Sequence, residues 1–130
     1  MGEISGFDLS AFNRLAPLTV IPELNGHTLD EALSEDVELF HFDFGTPAQY
    51  PAESKEVTLT ARRAGVAHGL LQWIWLGFDA HLQYDNRPPT QSVWHAVLHV
   101  FPEPLSLQAG DTVRLAVEHD RKTIRVWPKN

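Results

Sequence analysis

Residues 65–82 read GVAHGLLQWIWLGFDAHL, residues 83–92 QYDNRPPTQS and residues 93–111 VWHAVLHVFPEPLSLQAGD. Two aromatic and β-branched runs flank a Pro-rich turn, and a short third run ends at Gly110-Asp111. That is how an antiparallel meander is written, because branched and aromatic side chains fit a pleated surface while Pro and Gly close the turns. The run over 66–82 exceeds an ordinary strand, and Gly69 and Gly77 offer places for bulges or bends.

Moving outward, the strand pattern continues on both sides. Val57, Leu59 and Ala61 alternate with Thr58, Thr60 and Arg62, the mark of a sheet with one wet face. Residues 37–44 alternate too, with Phe40, Phe42 and Phe44 on one side, and are expected to form a strand stopped by Gly45-Thr46-Pro47. Further strands are expected over 93–101, 105–107, 112–118 and 123–127, the last two joined by His119-Asp120-Arg121-Lys122. Thr19-Val20-Ile21 reads as a short edge strand or an extended lead. The expected fold is therefore all-β, mainly an antiparallel β-sandwich or partly open barrel.

A short N-terminal helix is expected over residues 5–16, where Phe7, Ala11, Phe12 and Leu15 share a face and Pro17 ends the pattern. The chain thus divides into an arm-like helical segment, 1–17, and one β-domain, 18–130.

The composition bounds the function. With 130 residues, 43% hydrophobic and 21% charged, the chain has the make-up of one soluble domain able to bury a real core. It holds no cysteine, which excludes disulfides and thiolate metal sites and suits a reducing cytoplasm, where we expect it. The net charge is −7. Nucleic-acid affinity rests on neutralising phosphates, so an acidic chain without a basic stripe is expected to bind none. The apolar run 69–78 is too short to cross a membrane as a helix.

His68-Gly69-Leu70-Leu71-Gln72-Trp73-Ile74-Trp75-Leu76-Gly77-Phe78, then Pro88-Pro89-Thr90-Gln91, then Ser92-Val93-Trp94, then Pro104-Leu105-Ser106-Leu107-Gln108-Ala109-Gly110-Asp111 follow one another in that order. This succession resembles the C-terminal β-domain of the protein arginine methyltransferases. Members of that family carry a His-Gly-x-x-x-Trp/Tyr-Phe strand, a Pro-containing loop, a Thr-His-Trp loop and a Pro-Leu/Ile-x-Val-x-x-Gly-Asp segment. Gly6-Phe7-Asp8-Leu9-Ser10 resembles the family's segment leading into the dimerisation arm. The resemblance implies a non-catalytic domain that walls a substrate cleft through Ser92, Val93, Trp94 and His95, and a homodimer arm carrying Phe7, Phe12 and Leu15. It also implies that S-adenosylmethionine is held by a nucleotide-binding domain outside this chain, which is then a piece of a longer protein. No G-x-G-x-x-G occurs here, so no cofactor site is expected in the chain itself. Ser92 stands at the family's Thr and Val93 at its His. Valine cannot make the hydrogen bond that this His makes to an acidic partner.

Two other chemistries are written into the residues. Seven histidines suggest a metal, as in cupin-like metalloenzymes, but His95 and His99 on one strand lie roughly 13 Å apart, too far to share one ion. Structural or surface roles are the ordinary reading, with a cross-strand pair such as His81 and His95 as the alternative. Trp73, Trp75, Trp94 and Trp127 would make a stacking platform for a sugar or an Arg-rich peptide if exposed. Core packing is the usual fate of a Trp in an apolar strand. Trp94, beside the turn, is the exception. The bland reading for the net charge is solubility; the functional one is attraction of an Arg-rich partner.

Overall fold

The computed structural model describes the short strands β1 (Glu3–Ile4), β2 (Phe7–Asp8) and β3 (Val20–Pro22), and residues 32–46, 49–90 and 92–129. The further strands are β4 (Glu53–Thr60), β5 (Gly65–Gln72), β6 (Trp75–Gly77), β7 (Gln83–Asp85), β8 (Val97–Leu107), β9 (Thr112–His119) and β10 (Ile124–Pro128). All pairings are antiparallel: one sheet has the order β10-β9-β4, another β3-β8-β5, and β1-β2 and β6-β7 are two-stranded. The expected all-β class holds.

The two three-stranded sheets enclose the core. Leu115 and Val117 of β9 are completely buried against Phe101 of β8. Val57 and Leu59 of β4, Val126 of β10, and Ala67 and Leu70 of β5 pack around them. Alternation explains the choice: along β4 and β9 every second residue points to the other sheet, while Thr58, Thr60 and Arg114 face water. Burying a Leu or Val in such a core contributes roughly 1.5–3 kcal/mol each.

Close approach shapes the second sheet. Ala67 pairs with Leu105 and Gly69 with Val100, so two steps along β5 span the distance of five along β8. The extra residues of β8 include Pro102 and Pro104, which have no N–H to place in a ladder and fit a bulge. At Gly69 the backbones come so near that a Cβ would stand 2.3 Å from the His99 carbonyl oxygen. At the β8–β9 turn Gly110 has φ +93°, a conformation glycine adopts without strain.

Several expectations change. Residues 37–44 form no strand; Phe40 and Phe42 instead set their rings edge-on to His119, at 4.6 and 5.2 Å between centroids. Aromatic packing on the core replaces the ladder. The long run 66–82 is broken at Trp73–Ile74 into β5 and β6, and the strands expected at 93–101 and 105–107 are one strand through the two prolines. Val20–Pro22 is an edge strand on β8. In the helix expected over 5–16, Phe7–Asp8 is strand, paired with Glu3–Ile4. Residues 9–16 lie outside the described ones.

Candidate functional site

The segment 73–96 gathers exposed apolar side chains and the polar groups that fix their backbone. β6 and β7 form a hairpin in which Trp75 pairs with Asp85 and Leu76 with Tyr84. By alternation Leu76 and Tyr84 share one face and Trp75 and Gly77 the other. At the tip, the Asp79 carboxylate accepts the His81 and Leu82 N–H groups at 2.6 and 2.7 Å, which holds its pKa below the ordinary value.

After the hairpin comes Asn86, which is only 4% exposed. Its Oδ1 accepts the Ile74 N–H at 2.7 Å and its Nδ2 donates to the Trp94 carbonyl at 3.0 Å. One side chain therefore ties the start of the hairpin to the turn that follows it. Ser92 provides a second tie, since its Oγ accepts the Trp94 N–H at 3.0 Å and hydrogen-bonds the Tyr84 hydroxyl. The Tyr84 ring meets the Trp94 indole edge-on at 5.6 Å. Both backbone polar groups of Trp94 are thus satisfied by buried or half-buried side chains.

What this clamp holds out to solvent is apolar. Val93 is 90% exposed and Trp94 55%, and His95 is exposed beside them. Water gains nothing from such groups, and an exposed indole face attracts cations and C–H groups. The expected cleft residues Ser92, Val93, Trp94 and His95 are therefore contiguous on one turn, with Ser92 turned inward as its anchor. Of the expected arm residues, Phe7 has its backbone in β2, while Phe12 and Leu15 lie outside the described residues.

The tryptophans depart from core packing. Trp75 is 57% exposed and Trp127 partly so, while Trp73 is half-buried with the Arg87 guanidinium 5.2 Å over its ring. Arg87 is itself held by Asp36 at 3.1 Å. Trp73 and Trp75 do not share a strand face, because Trp73 lies outside β6.

The histidines scatter. His41, His68, His81 and His95 are exposed, while His99 and His119 are buried. His99 Nε2 lies 2.7 Å from Gln72 Oε1, which places a proton on that nitrogen, and burial lowers its pKa from the ordinary value. His119 Nδ1 accepts the Arg121 N–H at 3.3 Å. Among the described residues no three His, Asp or Glu side chains come together to hold a metal ion. Nor is any helix among them long and apolar enough to cross a membrane.

Reading the sequence missed Asn86 and Tyr84. The signal available was the Asn-Arg-Pro-Pro run, which marks a turn but not that the Asn is buried beneath it.

No protein-family model matches the chain, and no solved structure matches it. The chain is 30% identical over 97 residues to protein arginine N-methyltransferase 9 of Mus musculus. The match covers 75% of this chain and 11% of that protein's length. It points to a distant origin in common with the arginine methyltransferases, through a small part of such a protein.

Proposed function

We propose that this chain is a non-catalytic β-domain of an arginine-methyltransferase-like protein, walling one side of a substrate cleft with the turn Ser92–His95. The reading rests chiefly on the rigid presentation of Val93 and Trp94 by Asn86 and Ser92. A solvent-facing indole held at both backbone ends has little entropy left to lose when a guanidinium settles on it. The similarity to an arginine N-methyltransferase supports the same substrate class. The methyl donor would be held by residues outside this chain, since its sequence carries no strand–Gly-rich turn–helix unit to seat a nucleoside. Homodimer formation, with Phe7, Phe12 and Leu15 on the arm, completes the proposal.

The test is titration of the chain with an Arg-rich peptide, followed by tryptophan fluorescence. Saturable quenching that disappears in Trp94→Ala, and persists in Trp127→Phe, supports the cleft wall. Quenching unaffected by Trp94→Ala contradicts it. Analytical ultracentrifugation that gives a clean monomer at high micromolar concentration would remove the dimer.

The exposure of Trp75 together with Trp94 favours a second reading, a self-sufficient sugar- or peptide-binding module. Its sign would be equal quenching by a neutral oligosaccharide.

A further inference from the structure

The outward face of the β6–β7 hairpin carries polar groups that the fold leaves unused. Trp75 stands opposite Asp85 and Gly77 opposite Gln83, so these four share that face, while Leu76 and Tyr84 point the other way. A Cβ on Gly77 would stand 2.7 Å from Cη2 of Trp75, so the indole lies over the glycine, in room that only a missing side chain leaves. Trp75 is nonetheless more than half exposed. The hairpin beneath it is fixed at both ends, by the Asp79 carboxylate on the His81 and Leu82 N–H groups at the tip and by Asn86 on the Ile74 N–H at the base.

Donors and acceptors stand beside the indole. Gln83 is exposed and Asp85 half-buried. Asp85 Oδ1 accepts the Arg87 N–H at 3.1 Å. Its Oδ2, the Gln83 amide and the Trp75 Nε1–H have no partner among the described residues. A lysine or arginine head group only donates, so it would leave the Gln83 and indole N–H groups without acceptors. A hydroxyl both donates and accepts, and a pyranose with equatorial hydroxyls also offers an apolar C–H face to an aromatic ring. The mixed set of groups around Trp75 therefore suits a neutral polyol better than a cation.

We propose that this face binds a neutral sugar, with one equatorially substituted pyranose stacked on Trp75 and its hydroxyls on Asp85 Oδ2 and the Gln83 amide. This rests on the self-sufficient-module reading, and gives it a ligand class and a site apart from the turn Ser92–His95.

The probe is cellotetraose, a neutral β-1,4-linked glucose tetramer, titrated into the isotope-labelled chain by NMR, with N-acetylarginine amide as the cationic counterpart. Expected are saturable amide shifts at residues 75–77 and 83–85, with a dissociation constant of roughly 1 mM or tighter. Trp75→Ala should weaken binding about tenfold, the worth of one good aromatic contact. Gln83→Ala should weaken it about threefold, the worth of one hydrogen bond made in competition with water. Both side chains are exposed, so circular dichroism should show both variants folded. The proposal is overturned by absence of saturable shifts with the sugar, by unchanged affinity in both variants, or by equal or tighter binding of the arginine amide at the same residues. Saturable sugar shifts centred on residues 92–95 would overturn it as well, while leaving the module reading in place.

Discussion

Replacing Asn86 with Ala removes two hydrogen bonds at once, from Ile74 N–H and to the Trp94 carbonyl. The Asn86 N–H to Ile74 carbonyl bond, at 3.3 Å, survives because it is main chain. Ile74 is half-buried, so its orphaned N–H carries a desolvation cost of about 1–2 kcal/mol; the Trp94 carbonyl, nearer solvent, adds up to about 1 kcal/mol. The sum is about 1–3 kcal/mol. A chain of this length loses roughly 4 °C of Tm per kcal/mol, so Tm should fall by roughly 4–12 °C. Urea denaturation followed by circular dichroism measures the energy, and near-ultraviolet dichroism reports whether Trp94 keeps its edge-on seat against Tyr84. A loss below about 0.5 kcal/mol, with the aromatic signal unchanged, would refute the clamp, since that is the ordinary effect of a surface substitution.

Two further outcomes follow from the second sheet. Gly69→Ala should cost at least about 1–3 kcal/mol in chemical denaturation, because the new Cβ meets backbone oxygen at 2.3 Å rather than a movable side chain; a neutral result would mean the strands are farther apart than described. For His99, burial lowers the folded-state pKa below the ordinary 6.5, so below that pH the unfolded chain binds more protons than the folded one. Stability from this group is complete above about pH 6.5 and falls as pH drops toward 5, with a slope of at most about 1.4 kcal/mol per pH unit. His99→Gln should remove that part of the slope between pH 7.5 and 5, whatever its effect on absolute stability; an unchanged slope would show that His99 does not titrate with unfolding.

The sheets were legible where periodicity and pairing coincide. In β4 and β9 the Val57, Leu59, Val113 and Leu115 alternation both fills the core and lies beside a partner strand. Phe40 and Phe42 alternate just as cleanly, yet their side chains reach the core without a ladder, because rings can pack on His119 across a gap that backbone hydrogen bonds cannot bridge. Pro102 and Pro104 read as a strand break. They sit within β8 where the β5 register skips residues 101–104 and β3, among the described residues, ends at His99, so no described pairing needs a donor there. The turn at Ser92–Trp94 could be placed from its flanking residues. Its rigidity could not, since it depends on Asn86 and Tyr84 meeting it through the β6–β7 hairpin, and hydropathy carries no signal for one buried amide.

These links join sequence to the proposed role. The sandwich supplies a platform, the hairpin and Asn86 fix one turn to it, and in the proposed role that turn would offer Trp94 to whatever completes the cleft. In that role no residue of this chain would seat the methyl donor. Isothermal titration calorimetry of the purified chain with S-adenosylmethionine tests that most directly. No saturable heat is the predicted result; stoichiometric binding at micromolar concentration would contradict it.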